Sequence, residues 1–292
     1  MSILFLFVFF IRIFADMNYV QRLQQIYPPG EARALYRMVM EMRFGLSQTD
    51  LMLGKDTLLS ANDRNKLEEI IQRLMQKEPV QYILGQAEFC GHIFHVAPGV
   101  LIPRPETAEL VQWILSTVPS PDRPFCRLLD VGTGSGCIAI SLSLEGFPVT
   151  ASDISPESLA IAQKNAEFLQ TKLDFVSEDI LHPRHNNNEK WQLIVSNPPY
   201  ICEREKADMD DNVLLYEPHL ALFVPNDNPL LFYRAIAEYA QSHLAPSGML
   251  FFEINQIYGN ELISMLSEMK FDDIELRQDQ FGNPRFIKSV FK

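Results

Sequence analysis

The stretch Ser196-Asn197-Pro198-Pro199-Tyr200 combines residue types that can hold a planar amino group. It follows the apolar run 192–195, which predicts a buried strand that ends at this point. Two consecutive prolines fix φ and remove two N–H donors, so the chain must leave the sheet in a stiff turn. The Asn197 side-chain oxygen and the Pro198 carbonyl can then accept the two hydrogens of an NH2 group, while the Tyr200 ring packs against its face. The alternative is an ordinary strand exit, because Asn-Pro and Pro-Pro are common turn dipeptides.

A second stretch, residues 128–136, reads Leu-Leu-Asp-Val-Gly-Thr-Gly-Ser-Gly and predicts a strand followed by a glycine-rich turn into a helix. Glycines are needed where the backbone turns tightly and approaches a ligand without a Cβ in the way. Asp153 closes the next predicted strand, about 20 residues further on, where a carboxylate can accept hydrogen bonds from ribose hydroxyls. This pairing indicates a cofactor that contains adenosine.

The loop by itself leaves two cofactors open. Gly134-x-Gly136-x-x-Ala139 satisfies a loose dinucleotide fingerprint, which is compatible with NAD. The alternating glycines at 132, 134 and 136 are typical of S-adenosylmethionine loops, and nothing else in the sequence indicates hydride chemistry. Asp179 follows the third predicted strand, where it can accept a hydrogen bond from an adenine amino group. A solvated loop acid is the alternative for Asp179.

Predicted strands and helices alternate from Arg127 onward, which is typical of an α/β fold with a parallel sheet and helices on both faces. Strands are predicted at 127–131, 148–152, 173–176, 192–195, 249–254, 274–277 and 286–291. Helices are predicted at 138–144, 156–169, 229–244 and 259–269. The three asparagines 186–188 predict a surface loop.

The first quarter of the chain is predicted to be helical. Apolar residues in 35–42 and 67–75 recur at three-four spacing, and Ser60 with Asp63 resembles a capping box at a helix start. A small helical domain of this kind serves either to recognise a partner or as a structural cap. A hairpin is predicted around Cys90-Gly91, and a further helix is predicted to begin at Pro105.

The apolar run 3–11 is too short for a membrane span, which takes about 20 residues. It also lacks the basic start and the cleavage site of a signal peptide. We therefore expect Met17 to be the working start and residues 1–16 to be an extension outside the fold.

Composition excludes several classes of protein. The 292 residues carry a net charge of −12, which argues against a broad basic surface for a phosphate backbone, although a local basic patch stays open. The four cysteines are widely spaced, which argues against a zinc cluster or a disulfide framework and indicates a reducing cytoplasm. His92 and His95 point to opposite faces of a predicted strand, so we expect no metal site there.

The Asp130–Gly136 loop, Asp153 and the Asn197–Tyr200 turn resemble the class I methyltransferases that modify amino groups. Three further segments resemble a narrower family, the peptide chain release factor glutamine methyltransferases (HemK/PrmC). These segments are Gln81-Tyr82-Ile83-Leu84-Gly85, Leu101-Ile102-Pro103-Arg104-Pro105-Glu106-Thr107, and Glu217-Pro218 with Ala221-Leu222. The resemblance runs from about residue 18 to the end of the chain.

This resemblance implies a Rossmann-like, mostly parallel seven-stranded sheet with a small N-terminal helical domain, and S-adenosyl-L-methionine as the cofactor. It implies the following cofactor-binding residues: Gly132, Thr133, Gly134, Ser135, Gly136, Asp153, Asp179, Ile180 and Asn197. Asn197, Pro198, Pro199 and Tyr200 would bind the substrate, and Asn197, Pro198 and Tyr200 would be catalytic. Relatives can carry an aromatic residue where this chain has Ile180, so we expect a changed contact with adenine.

The implied domains are a helical substrate-recognition domain at 17–78, a hairpin and linker helix at 79–122, and the methyltransferase domain at 123–292. The implied partner is a peptide chain release factor whose Gly-Gly-Gln loop enters the pocket of a cytoplasmic, monomeric enzyme. Neither direct nucleic-acid binding nor membrane association is expected. Alternatives are a DNA adenine or cytosine amino-methyltransferase, methylation of a ribosomal protein glutamine, and a non-catalytic protein that only binds the cofactor.

Overall fold

Contacts within the chain divide it into two compact units. The computed structural model describes residues 19–183 and 190–292, so the predicted extension 1–16 and the predicted loop 186–188 lie outside the described residues. Within those ranges the first unit holds residues 19–85 and Asp210–Tyr216, and the second holds Gln86–Met209 and Glu217–Lys292. Residues 79–122, predicted as a hairpin and a linker helix, are thus divided between the units. The predicted domain boundaries stay predictions.

The first unit is helical. Its helices are α1 (Pro29–Phe44), α2 (Gln48–Met52), α3 (Ala61–Met75), α4 (Val80–Leu84) and the short helix Asp211–Tyr216, and residues 19–23 are helical as well. Ser60 caps α3 by accepting a hydrogen bond from the Asp63 N–H at 3.1 Å, as predicted. The apolar face predicted from the three-four spacing is buried, and it forms a core with these central members: Leu23, Val39, Met40, Leu67, Ile71 and Leu74.

None of the helices in the described ranges has both the length and the hydropathy that a bilayer crossing requires.

The second unit alternates strands and helices. Its helices are α5 (Pro105–Thr117), α6 (Cys137–Leu144), α7 (Pro156–Phe168), α8 (Leu231–His243) and α9 (Gly259–Glu268). Its strands are β1 (Gln86–Phe89), β2 (His92–His95), β3 (Leu128–Val131), β4 (Val149–Asp153), β5 (Asp174–Ser177), β6 (Trp191–Ser196), β7 (Ile201–Cys202), β8 (Phe223–Val224), β9 (Leu244–Glu253), β10 (Phe271–Gln278) and β11 (Pro284–Phe291). β1 and β2 form the predicted hairpin, and Cys90 and Gly91 turn with φ of 48° and 77°.

Among the described residues, seven strands form the central sheet in the order β10-β11-β9-β6-β3-β4-β5. The pairs β9–β6, β6–β3, β3–β4 and β4–β5 are parallel, while β11 is antiparallel to both of its neighbours. The predicted mostly parallel sheet is therefore confirmed. After β3 the chain adds β4 and β5 on one side, and it then returns to add β6 on the other side. Ligands of α/β sheets bind outside the carboxyl ends of the strands at such a switch point.

Strand residues alternate between two cores because successive side chains of a strand point to opposite faces. In β3, Leu128 packs in a core with α5 and α6, whereas Leu129 packs in a core with α8 and α9. β6 follows the same rule, with Leu193 on the first side and Ile194 on the second. Both faces of the central strands are thus covered, which explains their nearly continuous apolar sequence.

The strand predicted at 249–254 begins earlier, at Leu244. Ser247 has a φ of 61°, and the pairing with β6 shifts register between Trp191 and Leu193. A positive φ and a register shift are features of a β-bulge, which allows Pro246 and Gly248 within the strand. Because a proline or a glycine in a sequence normally indicates the end of a strand, the strand prediction did not include residues 244–248.

Of the three glycines in the loop, Gly136 is the one at which an added side chain would collide with neighbouring atoms. Its φ is 81°, and a Cβ there would lie 2.8 Å from Ile140 Cδ1 and 3.0 Å from Ala162 Cβ. We expect Gly136→Ala to lower the free energy of unfolding by about 2–4 kcal/mol, through left-handed strain and overpacking between α6 and α7. Urea unfolding measures this loss.

Gly91→Ala is the matched control for this prediction. Gly91 has a similar φ of 77°, but an added Cβ there meets nothing within 4 Å. We expect a loss of about 1–2 kcal/mol from the backbone alone. Equal losses at the two positions would contradict the proposed collision with Ala162.

Candidate active site

A pocket of about 430 Å³ opens at the carboxyl ends of the central strands, at the switch point between β3 and β6. Its volume lies within the range of small-molecule sites, which is about 300–1,000 Å³. The pocket brings together residues from the two stretches that the sequence singled out. The predicted site residues that line it are Gly132, Gly134, Asp153, Asp179, Ile180, Asn197, Pro198 and Pro199.

Four predicted site residues do not line the pocket, and each has a role in the surrounding structure. The Thr133 hydroxyl donates to Asp130 Oδ2 at 2.7 Å, and the Ser135 carbonyl accepts from Asn165 Nδ2 at 2.9 Å. Gly136 is the N-cap of α6. The Tyr200 hydroxyl donates to Glu253 Oε1 at 3.1 Å.

The glycine loop forms an open cradle at one end of the pocket. Gly132 and Gly134 have φ of 75° and 55°, and a Cβ added to either meets no atom within 4 Å. Both residues line the pocket, so this open space is the pocket itself. The N–H groups of Gly132 and Thr133 both donate to the Ser152 carbonyl at 2.9 Å, which ties the loop to β4. A ligand can therefore approach the loop backbone directly.

Asp153 at the end of β4 holds the loop from the other side. Its Oδ2 accepts from the Gly134 N–H and its Oδ1 accepts from the Ser155 N–H, both at 2.9 Å. Burial raises the pKa of Asp153, while these two amide hydrogen bonds act to lower it. Each carboxylate oxygen has two lone pairs, so both oxygens can also accept hydrogen bonds from a ligand.

Apolar side chains form the wall next to Asp153. Ile154, Ile180 and Leu181 line the pocket there, and Ile180 also packs against the core that contains α8 and α9. Asp179 Oδ1 accepts from the Leu181 N–H at 2.9 Å, which shapes the turn after β5. Apolar side chains together with a carboxylate in one part of the lining suit a purine ring.

Asp130 lies beneath the loop and is fully buried. Burial raises the pKa of Asp130 to about 7, although the hydrogen bond from Thr133 lowers it. Asp130 therefore takes up a proton at a higher pH than an exposed aspartate does.

A chain of hydrogen bonds begins at Asn197, which lines the pocket, and continues to residues that do not line it. Asn197 Nδ2 donates to Thr107 Oγ1 at 3.2 Å, and Thr107 Oγ1 donates to Glu253 Oε2 at 2.7 Å. Tyr200 donates to the other oxygen of the same carboxylate. Burial raises the pKa of Glu253, and burial together with the nearby Glu253 charge raises the pKa of Tyr200.

Sequence reasoning gave no role to Thr107 or to Glu253. Thr107 belongs to one of the segments that carried the family resemblance, but its partners were not evident from that segment. The signal for Glu253 was a charged residue at the end of an otherwise apolar predicted strand. Because buried carboxylates are rare unless paired, such a residue indicates a nearby functional network.

A buried ion pair joins two other segments that line the pocket. Glu217, whose side chain is 1% exposed, accepts from Arg104 Nη2 and from the Ile102 N–H, the latter at 3.2 Å. The neighbouring residues Leu101 and Pro218 line the pocket. The pair therefore fixes two walls of the pocket against each other.

Removal of Arg104 leaves the buried Glu217 carboxylate without its cation. We expect Arg104→Ala to lower the free energy of unfolding by about 2–4 kcal/mol, slightly less than for a fully buried pair because Arg104 is partly exposed. Thermal and urea unfolding measure this loss. Arg104→Lys keeps the charge, so its loss should be about 1 kcal/mol. Equal destabilisation by the two substitutions would contradict a charge-based role.

In the part of the chain that the structure describes, no three His, Cys, Asp or Glu side chains are grouped so that they could hold a metal ion.

Comparison with known proteins identifies the family. Residues 18–85 match the PrmC N-terminal domain, and residues 110–215 match the methyltransferase small domain. The chain is 50% identical over 269 residues to a release factor glutamine methyltransferase of Bacteroides thetaiotaomicron, covering 91% of this chain and 95% of the relative. The chain belongs to the release factor glutamine methyltransferase family. The predicted resemblance is therefore confirmed, and the protein is a methyltransferase.

The chain is also similar to a release factor glutamine methyltransferase of Flavobacterium psychrophilum. The two are 42% identical over 278 residues, a match that covers 94% of this chain and 97% of the relative. Among solved structures, the 16S rRNA N2 G1207 methyltransferase of T. thermophilus in complex with AdoMet and guanosine is similar with a TM-score of 0.54. That match has 19% identity and covers 71% of this chain and 50% of the other, so it supports the methyltransferase fold alone.

Proposed function

We propose that this methyltransferase methylates the side-chain amide nitrogen of the glutamine in the Gly-Gly-Gln motif of peptide chain release factors. The observation that carries the proposal is that the glycine loop and the Asn197-Pro198-Pro199 turn line one pocket at the switch point of the sheet. One end is shaped for an adenosine-containing donor, and the other presents acceptors for an NH2 group. Membership of the release factor glutamine methyltransferase family supports a glutamine of a release factor as the acceptor.

The methyl donor is S-adenosyl-L-methionine, and the residues present fit it. The open space over Gly132 and Gly134 admits a ligand close to the backbone, and the Asp153 carboxylate lies where ribose hydroxyls can donate to it. The apolar side chains Ile154 and Ile180 line the same pocket and would provide apolar contacts for a purine. When bound, this cofactor supplies a methyl group that its sulfonium sulfur strongly activates.

The protein's task is to orient the substrate amide, because an amide nitrogen is a poor nucleophile whose lone pair is delocalised. In our proposal, the Asn197 side-chain oxygen and the Pro198 carbonyl accept the two amide hydrogens of the substrate. With both hydrogens held, the remaining lobe of the nitrogen is directed at the methyl carbon. Orientation of this kind can supply roughly 7–11 kcal/mol of a barrier.

No side chain needs to act as a general base in this mechanism. The substrate nitrogen would form its bond to the methyl carbon as the methyl–sulfur bond of the donor breaks and S-adenosylhomocysteine leaves, and the acidified nitrogen would then lose one proton to water. Asn197 and Pro198 contribute as acceptors for hydrogens that become more positive as the new bond forms. These interactions therefore strengthen in the transition state, which is the condition for raising kcat.

The helical unit provides a surface for the release factor in this proposal. Residues 18–85 match the family's N-terminal domain. Three apolar side chains are exposed on α2 and the turn after it, with exposed fractions of 75% for Met52, 62% for Leu53 and 72% for Leu58. Exposed apolar groups of this size in one short segment are typical of protein-binding surfaces.

Methyl transfer from labelled S-adenosylmethionine tests the proposal. The acceptors are a release factor, the same release factor with alanine in place of the Gly-Gly-Gln glutamine, total ribosomal proteins, and duplex DNA. We expect label in the first alone, and peptide mass spectrometry should place one methyl group on that glutamine. Label in DNA or in a ribosomal protein would instead identify an alternative substrate, and binding without any transfer would identify a non-catalytic protein.

A further inference from the structure

We propose that Thr107 and Glu253 are positioning residues that fix the direction of the Asn197 carboxamide. The inference rests on the proposed function, in which the Asn197 side-chain oxygen accepts a hydrogen from the substrate amide. An asparagine side chain has an oxygen and a nitrogen of nearly equal shape, so its hydrogen-bond partners decide which end faces the pocket. Neither positioning residue lines the pocket.

The three residues come together from three distant segments. Asn197 follows β6 and Glu253 ends β9, and these strands pair in parallel with Ser196 opposite Phe252. Asn197 and Glu253 therefore leave the sheet at the same edge. Thr107 comes from the first turn of α5. Thr107 and Glu253 are buried, with exposed fractions of 3% and 2%, so water has little access to their hydrogen bonds.

The donor and the acceptor in each of these hydrogen bonds follow from the number of protons that each side chain can donate. A carboxylate only accepts hydrogen bonds, so Thr107 must direct its single hydroxyl proton to Glu253 Oε2, at 2.7 Å. The Thr107 oxygen is then left as an acceptor. The group 3.2 Å away on Asn197 must therefore be its Nδ2, which donates. This leaves the Asn197 Oδ1 to face the substrate.

Both carboxylate oxygens of Glu253 accept hydrogen bonds, Oε2 from Thr107 and Oε1 from Tyr200 at 3.1 Å. Burial raises the pKa of Glu253, while these two hydrogen bonds and the positive charge of Arg285 act to lower it. Tyr233 donates its hydroxyl to the Glu253 main-chain carbonyl at 3.2 Å and does not touch the carboxylate. Two hydroxyl groups from separate elements, those of Thr107 and Tyr200, thus hold the one carboxylate in place.

A reversed Asn197 amide would be unable to perform the proposed step. Its NH2 group would face the NH2 group of the substrate glutamine, and two donors would meet with no acceptor between them. The substrate would still enter the pocket, but its nitrogen would be misdirected. The loss should therefore appear in kcat, because the affected interaction matters in the transition state.

The test compares four variants of the full-length enzyme with release factor as substrate. Thr107→Val removes the hydroxyl at nearly constant volume, and Thr107→Ser keeps it. Glu253→Gln replaces the acceptor-only group with one that can also donate. Tyr233→Phe removes a buried hydrogen bond from the same strand end without affecting Thr107 or Asn197. The measurements are kcat, KM for release factor, Kd for S-adenosylhomocysteine, and the thermal midpoint.

We expect Thr107→Val to lower kcat by about 10–100-fold with both binding constants within about threefold of wild type. Thr107→Ser should restore kcat to within about threefold, and Glu253→Gln should lower kcat with binding retained. Tyr233→Phe should lower the thermal midpoint while kcat stays within about twofold, which separates positioning from general stability.

Near-wild-type kcat in folded Thr107→Val, or a Thr107→Ser variant as slow as Thr107→Val, would overturn the inference. If Thr107→Val does not fold, near-wild-type kcat in folded Glu253→Gln would overturn the inference instead. Failure of the proposed function has a different signature, because the wild-type enzyme itself would then transfer no methyl group to release factor.

Discussion

Replacement of Asn197 by alanine is expected to lower kcat by about 10²–10³-fold, the range found when one preorganised hydrogen-bonding group is removed from an active site. The substitution removes the proposed acceptor for one hydrogen of the substrate amide. It leaves the backbone of Pro198 and the two prolines of the turn in place. Steady-state kinetics with release factor and labelled S-adenosylmethionine measure the effect.

The loss of activity in Asn197→Ala should be confined to the chemical step. The glycine loop and Asp153 are untouched, so Kd for the cofactor should change by less than about tenfold, or 1.4 kcal/mol. Asn260→Ala is a suitable control, because Asn260 is an exposed asparagine in the first turn of α9. Full turnover by Asn197→Ala would eliminate the proposed role of its side chain.

Replacement of Asp153 by alanine is expected to raise Kd for S-adenosylmethionine by about 10²–10³-fold. Two hydrogen bonds from ribose hydroxyls to a carboxylate, at roughly 1.5–2 kcal/mol each, account for this range. The substitution also removes the acceptor of the Gly134 and Ser155 N–H groups, so the loop that forms the cradle becomes less ordered. Isothermal titration calorimetry measures the change.

Asp174→Ala is the matched control for Asp153. Asp174 begins the neighbouring strand β5 and is exposed, so its removal should leave Kd within about twofold of wild type. The kcat of Asp153→Ala at saturating cofactor should fall less than its kcat/KM. An unchanged Kd in this variant would show that the ribose is held by other groups.

The two large effects are expected to differ in kind because the two residues are proposed to hold different ligands. Asp153 ends β4 and Asn197 follows β6, and these strands lie on either side of β3. In the proposed mechanism, a donor held against the loop after β3 would thereby lie next to an acceptor held after β6. The parallel sheet supplies this proximity, since its strands all end at the same edge.

Several features of this protein follow from the sequence alone. The alternation of apolar strands and amphipathic helices predicted the α/β sheet, because periodicity is a local property of the chain. The glycine loop and the Asn-Pro-Pro-Tyr turn were recognisable because glycine and proline restrict the backbone at their own positions. Ser60 could be identified as a helix cap because its partner, Asp63, is three residues away.

Other features were decided only by the tertiary structure. Thr107 and Glu253 are 146 residues apart, and Arg104 and Glu217 are 113 residues apart, so no local pattern relates them. The ring of Tyr200 was predicted to pack against the substrate, which stays a prediction, and its hydroxyl bonds to the buried carboxylate of Glu253, a partner that the sequence did not indicate. Side-chain direction depends on partners that distant segments bring close, and on which of them needs a hydrogen bond when water is excluded. The sequence indicated most of the groups that we propose to carry the chemistry, and the packing of α5 and β9 determined their hydrogen-bond partners.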